Sequence, residues 1–444
     1  MKESVNMSNF NSIKLLLKIK DENISITGEC FERTIKGQVC SIVPASLFQR
    51  PERCSNCGFS NLIVHGWKKS MVLLPKVVRF KTYLELNKCR FLCKNCATTV
   101  TSSTSLVEKN CSISHAVRQS IALDLQEKKS LTTIAKDNEL SICSVSRVFD
   151  KFHKNIQPNF HWLPSVLNFD EFKSVGSTEA AMSFIFMDGQ SGKLLDIVEN
   201  RRTPYLEKYF LNYSRKARFA VRFIVIDMYT PYMSIIKRLF PNAKIVIDRF
   251  HVVQHMSRAL SATRIRVMKQ LKTSNKEDRK KYRKLKRYWR LIQMDSGKLS
   301  ATNYKNYYCF NGLTTDKAIV DEILSYSEEL YTHYHIYQEF LWAIKSRDAE
   351  AFQELLNKRY HNLNRNFTTA FKTLKRFSEG ILHALQTPYN NGRLEGMNNH
   401  IKVLKRIAYG YRNFYNFKRR ILIVQGVLKE RGEERKLGAE APKS

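Results

Sequence analysis

Four acidic residues sit where a β-type run ends or a helix opens. Asp170 lies in Val166-Leu-Asn-Phe-Asp170-Glu-Phe172, and Asp227 closes Phe219-Ala-Val-Arg-Phe-Ile-Val-Ile226. Asp248 follows Ala243-Lys-Ile-Val-Ile247, and Glu395 stands in Asn390-Asn-Gly-Arg-Leu-Glu395-Gly-Met-Asn-Asn399. One acid at a strand end is usually an ordinary turn or cap residue. Several together suit phosphodiester chemistry, which uses two Mg²⁺ ions about 3.5–4 Å apart, one for the attacking oxygen and one for the leaving oxygen. Carboxylates are the right ligands because Mg²⁺ is hard and keeps several waters; Mn²⁺ accepts the same oxygen donors. At least two Asp and one further acid must then meet in space. Glu395 is the best third acid. At about 100° per residue, Glu395, Asn399, Lys402 and Arg406 fall within about 40° of each other on one helix face. A carboxylate there can hold metal while Lys402 and Arg406 grip phosphates. A solvated salt-bridging face is the bland alternative, but the clustered Asn and the two Gly fit it badly. Asp248 and Glu379 are rival third acids.

The cysteines carry a second chemistry. Cys54-x-x-Cys57 and Cys93-x-x-Cys96, with 35 residues between the pairs, can offer four thiolates to one tetrahedral zinc in a closed, structural site. The segment between them, with Val77-Val78-Arg79-Phe80 and Tyr83-Leu84-Glu85-Leu86, reads as strands that bring the pairs together. Cys89 is close enough to substitute as a ligand. Ten cysteines without an export signal point to reduced thiols or metal ligands rather than a disulfide framework.

A third motif is a helix-turn-helix over 131–148. Ala135 is small where two helices cross, Leu140 fills the turn, Ser141 caps the second helix, and Val145 and Val148 face the core. Ser144, Ser146 and Arg147 are then offered to the major groove. Glu139 occupies the turn position where Gly is commoner. Any amphipathic helical hairpin would share much of this pattern.

The elements that must position these groups follow from length and patterning. The chain has 444 residues, enough for about three domains, and 43% apolar residues allow a real core. Lys and Arg number 75 against 40 acids, a net +35. Such an excess points to a polyanionic partner, nucleic acid first. No apolar run approaches the about 20 residues of a membrane span, and Ile13–Leu17 is too short for a secretory core; a cytoplasmic location is the expectation. Three strands, a helix, a strand, a helix and a strand from 166 to 247 give the order of an RNase H-like core, in which acids at strand ends converge at one sheet edge. Residues 250–386 read as almost wholly helical, and the last dozen residues as polar.

The fold class is therefore multidomain, α+β and α/β. It comprises a small zinc-binding β module, a helix-turn-helix and an RNase H-like mixed sheet; that the helical stretch is a large all-α insertion in this core is implied by the family resemblance that these motifs carry. The expected boundaries are 1–45 (no role legible), 46–105 (zinc module), 106–160 (helix-turn-helix), 161–256 (core, first part), 257–385 (insertion) and 386–444 (core, second part). The insertion carries nine Lys or Arg among the fifteen residues Lys276–Arg290, interleaved with Tyr282, Tyr288 and Trp289. Cations neutralise phosphates and aromatic faces stack on unpaired bases, so this stretch is expected to face DNA.

With these motifs in hand, the chain resembles the DDE transposases of bacterial insertion sequences, specifically the ISL-three family. The resemblance rests on the two Cys pairs, the 131–148 motif, Phe169-Asp170-Glu171-Phe172, Asp227-Met-Tyr, Asp248-Arg-Phe-His251 and, most specifically, NNGRLEGMNNHIKVLKRIAYGYRNF at 390–414. It implies a catalytic triad of Asp170, Asp227 and Glu395, and an RNase H-like fold interrupted within the 167 residues between Asp227 and Glu395. It further implies terminal inverted repeats and target DNA as partners, and at least a dimer when ends are paired. Asp248 and His251 resemble a DxxH element whose role is either a cap or metal contact. Two other readings share the acids: an RNase H-like nuclease or resolvase without strand joining, and a DNA-binding regulator with a decayed site.

Overall fold

The computed structural model describes residues 10–78, 80–151 and 157–427. Arg79, Leu428 and the polar last dozen residues lie outside that set. The chain divides into two compact units. One is formed by the residues up to Gln157 with 403–411 and those from Tyr415 on, the other by Pro158–Lys402 with Arg412–Phe414.

In the first unit, residues 10–16 are helical (α1) and six strands form one sheet. β1 (Ile24–Ile26), β3 (Gln38–Leu47), β5 (Phe80–Cys93) and β4 (Leu62–Val77) lie in that order, with β2 (Phe31–Ile35) on β3 and β6 (Thr99–Thr101) on β5. The N-terminal segment in which no role was legible thus supplies three strands, and β3 runs across the boundary expected at residue 45. β4 and β5 form a long antiparallel hairpin that sets Leu62 opposite Cys93. Antiparallel pairing brings the start of one strand beside the end of the next, and this draws the two CxxC segments together. Three helices follow: α2 (His115–Asp124), α3 (Leu131–Asp137) and α4 (Ile142–Asp150). Each opens on a serine, Ser114, Ser130 or Ser141, whose hydroxyl accepts the backbone N–H three residues on and satisfies one orphan donor of the first turn.

The second unit is built on a five-stranded sheet in the order β11-β10-β7-β8-β9: Lys244–Ile247, Phe223–Ile226, Val166–Lys173, Met182–Asp188 and Leu194–Val198. β7, β8 and β9 are an antiparallel meander, whereas β10 runs parallel to β7 and β11 parallel to β10. This is the RNase H-like order. Two helices, α5 (Thr203–Phe210) and α6 (Arg215–Ala220), rather than one, link β9 to β10. Phe219 and Ala220, expected in the strand, end α6, because Ser214 caps a helix there and only Phe223–Ile226 can pair. α7 (Thr230–Leu239) leads to β11, with Pro231 in its first turn.

After β11 come α8 (Arg249–Gln270), α9 (Lys276–Arg287), α10 (Trp289–Gln293), α11 (Asp316–Leu324), α12 (Glu328–Ser346), α13 (Ala349–Asn357), α14 (Arg365–Arg376) and α15 (Ser378–Gln386). The insertion is not all-α, since β12 (Lys305–Asn306) and β13 (Leu313–Thr314) form a small hairpin whose turn uses left-handed Cys309 and Gly312. Its helices and the sheet share one continuous apolar core, from Phe169 and Phe184 through Leu260 and Phe340 to Ile381. Gly380 shows how close that packing is: a Cβ there would meet Ile247 Cγ1 of β11 at 2.7 Å. α16 (Gly392–Ile407) and α17 (Phe414–Val424) complete the described chain. Among the described residues no helix is long and apolar enough to cross a membrane.

Candidate active site and metal centre

The register of the parallel strands positions the aspartates. β10 pairs with β7 so that Val225 lies opposite Asn168, and with β11 so that Ile226 lies opposite Ile247. Carrying that register one or two residues further sets Asp170, within β7, side by side with Asp227 and Asp248, which follow the last residues of β10 and β11. Adjacent strands are about 4.8 Å apart and in-register residues point to the same face, so three carboxylates crowd one edge. Asp227, Asp248 and His251 have ligand atoms within 4.8 Å of one another, and His251 Nε2 lies 3.0 Å from Asp227 Oδ1.

The electrostatics report this crowding. Burial pushes the Asp170 carboxyl up to about 6, helped by the charge of Asp227. Burial pushes Asp227 up to about 7, with the charges of Asp248, Glu171 and Glu395 adding to it. Asp248 is raised as well, chiefly by burial. Acids gathered against their own repulsion are a natural seat for divalent cations. Asp227 Oδ1 is buried and faces His251 Nε2, so the two belong to one ligand group. Asp248 stands at the N-cap position of α8, yet its side chain makes no cap hydrogen bond and instead belongs to the acid group.

Glu395 sits in the first turn of α16, exposed, close enough for its charge to act on Asp227. Asn399, Lys402 and Arg406 are exposed along the same helix, while Leu394, Asn398, Ile401 and Leu404 are buried. Glu379 is exposed on α15 and is not among the charges acting on Asp170 or Asp227.

What holds α16 over the acids is a set of buried amides. Asn168 Nδ2 donates to the Asn390 carbonyl at 2.7 Å and Asn391 Nδ2 to the Phe169 carbonyl at 3.1 Å. Asn398 Nδ2 donates to Asp170 Oδ2 at 2.7 Å. Asn168 is buried in an otherwise apolar central strand, where an amide is costly unless bonded. Gly189 leaves room for it, since a Cβ there would come within 2.5 Å of its Oδ1. None of these three was singled out from the sequence, although the Asn clustering at 390–399 and the lone polar residue in Val166-Leu-Asn-Phe were its visible traces.

On β7, alternation turns Phe169 and Glu171 to the opposite face from Asn168 and Asp170. Glu171 ion-pairs with Arg201 and accepts the Tyr232 hydroxyl at 2.6 Å. A cavity of about 450 Å³ opens beside the strand ends, lined by Asp170, Glu171 and Asp227 together with Arg201, His255 and Arg258. Acids and cations thus share one opening.

In the first unit the four expected cysteines meet. The Sγ atoms of Cys54, Cys57, Cys93 and Cys96 lie within 4.8 Å of one another, and the Cys54–Cys96 and Cys57–Cys93 pairs are each 3.6 Å apart. Zn–S bonds of about 2.3 Å in a tetrahedron give sulfur separations near 3.8 Å, so the thiols fit zinc. The Thr98 hydroxyl and backbone lower the Cys96 thiol to about 5, which favours the ligating thiolate. Cys89 is not in the group; it is buried opposite Trp67 with its thiol toward the Arg90 carbonyl.

The helix-turn-helix is formed by α3 and α4. Ile134, Ala135, Val145 and Val148 are buried, Ser144 and Ser146 half-buried and Arg147 exposed. Glu139 has φ of +55°, the left-handed geometry for which Gly is usual. Arg420 of α17, fully buried, donates to the carbonyls of Leu125, Glu127 and Lys129 and braces the turn between α2 and α3.

An RNase H-like sheet with clustered acids thus lies in the same chain as a four-cysteine module that fits zinc. A family model described as "Transposase" matches residues 167–421, and one described as "zinc-finger of transposase IS204/IS1001/IS1096/IS1165" matches residues 50–96. The chain belongs to the ISL-three family of DDE transposases, with an N-terminal zinc ribbon that holds a structural zinc ion. It is 26% identical to the "Transposase for insertion sequence element IS1001" of Bordetella parapertussis, over 81% of this chain and 85% of that one. It is also 44% identical over 140 residues to a protein of Lactococcus lactis subsp. lactis named "ATP-dependent protease"; that match covers 28% of this chain and 45% of the relative.

Proposed function

We propose that this transposase binds the terminal inverted repeats of its own insertion sequence and cuts and joins DNA strands at the acids beside β7, β10 and β11. Asp170 and Asp227 hold the catalytic Mg²⁺ ions and Glu395 completes the second position, with Mn²⁺ an acceptable substitute. When bound, such a pair activates the attacking oxygen and stabilises the leaving one. The chain's own side chains supply the rest. Asn168, Asn391 and Asn398 fix α16 on the acids. Arg201 and Arg258 at the cavity, with Asn399, Lys402 and Arg406 on α16, grip phosphates. The zinc ribbon and the Ser144, Ser146 and Arg147 face of α4 read the element's ends.

Water attacks the phosphodiester at the element's end and releases a 3′-hydroxyl, which then attacks a target phosphate in line and displaces the target's own 3′-oxygen. No protein–DNA bond forms, so no Ser or Tyr nucleophile is required. Joining two ends requires at least a dimer, and the reaction belongs where bacterial DNA is, in the cytoplasm. The observation that supports this reading is the alignment of Asp170, Asp227 and Asp248 across three strands, with α16, the helix that carries Glu395, bonded to Asp170 through Asn398. The name of the lactococcal relative is not carried over, since this sequence contains no G-x-x-x-x-G-K-[ST] loop to cradle ATP phosphates.

The test incubates the full chain with a precut end duplex, a supercoiled target plasmid and Mg²⁺. Joined strands support transposition; hydrolysed ends alone support the nuclease reading. Glu395→Gln should bind the end and neither cut nor join. Cleavage left intact by that change would remove Glu395 from the site.

A further inference from the structure

The basic stretch Lys276–Arg290 was expected to interleave cations with base-stacking rings, and the structure corrects how. Tyr288 is buried, with its hydroxyl donating to the Tyr308 carbonyl at 2.6 Å, so it is an anchor rather than a stacking face. Trp289 is exposed and Tyr282 half-buried, and a further exposed ring comes from the hairpin opposite. Tyr307, whose hydroxyl donates to Asp316, holds the β12–β13 turn in place, and the neighbouring Tyr308 ring is left 62% exposed.

Between α9 and this hairpin lies a cleft of about 740 Å³. Lys280, Lys281, Arg283 and Lys284 line one wall and Tyr308, Phe310 and Tyr326 the other, with Asn311 at the turn. Cations outnumber acids four to two, and both acids are engaged: Glu277 with Lys280, Glu322 with Lys284 and Tyr326. Lys284 lies 4.0 Å over Phe310 and Arg287 4.8 Å over Tyr308.

We infer that this cleft is a binding site for unpaired DNA, taking a phosphate against α9 and a base against the Tyr308 ring. The inference rests on DNA being the substrate and adds a second DNA site to the acids. A duplex keeps its bases stacked inside and offers only phosphates, which need no aromatic wall. A single strand offers both groups, and each wall suits one of them. The volume is that of an ordinary small-ligand site, enough for a nucleotide and too small for a double helix.

The experiment measures binding alone, by fluorescence anisotropy with the full zinc-loaded chain and no Mg²⁺. The probes are a short blunt duplex and the same duplex carrying an oligothymidine overhang. The overhang should bind about tenfold tighter, as one or two stacked bases allow. Tyr308→Ala should erase that preference and leave blunt-duplex affinity unchanged, and Tyr308→Phe should keep it. Lys281→Ala should weaken overhang binding and flatten its salt dependence. Cys309 lines the same cleft, so the overhang should also slow its alkylation, read by mass spectrometry on the unsubstituted chain. Equal affinity for both probes, a preference that survives Tyr308→Ala, or Cys309 alkylation unaffected by the overhang would overturn the inference. Because no strand is cut, the outcome is separable from that of the Glu395→Gln test, and blunt-duplex binding reports whether the chain is a DNA-binding protein at all.

Discussion

Replacing Asp227 by Asn should stabilise the protein while abolishing its chemistry. Its carboxylate shares a group whose ligand atoms lie within 4.8 Å of each other. At an effective dielectric of about 20, two like charges at that distance repel by about 3 kcal/mol. The Asp227 side chain is 36% exposed, and solvent screening reduces the cost to about 1–2 kcal/mol. The sign with pH follows from its titration near 7 against an ordinary 3.8. Below about pH 4 the folded and unfolded chains both carry the proton, and the group is neutral in the balance. As pH rises toward 7 the unfolded chain ionises freely while the folded site resists, so stability falls and the full penalty stands above pH 7. Without added Mg²⁺, zinc-loaded Asp227→Asn should therefore melt about 3–6 °C above the unsubstituted chain at pH 8, and the gain should vanish near pH 4. Asp170, Asp248, His251, Glu171 and Glu395 face the same group and set the slope of the curve with it. Adding Mg²⁺ should raise the midpoint of the unsubstituted chain and leave that of the variant almost unmoved. Differential scanning fluorimetry across pH reads all of this. A variant that melts lower at pH 8, or a gain independent of pH, would refute the claim that these acids are held against their own repulsion.

Other changes separate the parts of the account. Asn398→Ala removes the amide that bonds Asp170 and should cost about 1–2 kcal/mol of stability. It should also lower the rate of strand cleavage about 10–100-fold at unchanged end affinity, since α16 is no longer fixed to the acids. Cys57→Ser should release the zinc ion, counted by plasma mass spectrometry, and unfold the ribbon with loss of end binding; a ribbon that keeps its structure in a strong chelator would count against a structural metal. Glu139→Gly relieves a left-handed residue and should raise the melting midpoint of the helix-turn-helix by the equivalent of about 1 kcal/mol, without changing end affinity.

Strand-end acids, cysteine spacing and helix caps were legible because each is a local signal with a local cause. Ser141 caps α4 and Cys54 meets Cys96 as their sequence neighbourhoods imply. The mutual placement of the aspartates was harder. Register cannot be read from a strand's own residues, so the side-by-side placement of Asp170, Asp227 and Asp248 emerges only when β7, β10 and β11 are paired. Of the N-terminal strands, β2 escaped notice because it is almost wholly exposed, which leaves no apolar alternation to detect, and β1 because it is three residues long. β12 and β13 are two residues each, too short for any periodicity, and so the insertion read as all helix. Tyr288 looked like a surface ring because its neighbours are cations, but it falls three residues after Leu285 on the buried side. Asn168 and Asn398 are the instructive pair. Each is an amide where the pattern wants an apolar residue, and each bridges β7 to a segment more than two hundred positions away.

The central claim is that Asp170, Asp227 and Glu395 share one pair of divalent ions. Crystals of the full chain with precut end DNA, soaked in Mn²⁺ and measured at the manganese absorption edge, test it directly. Two anomalous peaks about 3.5–4 Å apart, in contact with Asp170, Asp227 and Glu395, are the expected result. A single peak held by Asp227, Asp248 and His251, with Glu395 turned away from it, would contradict the assignment.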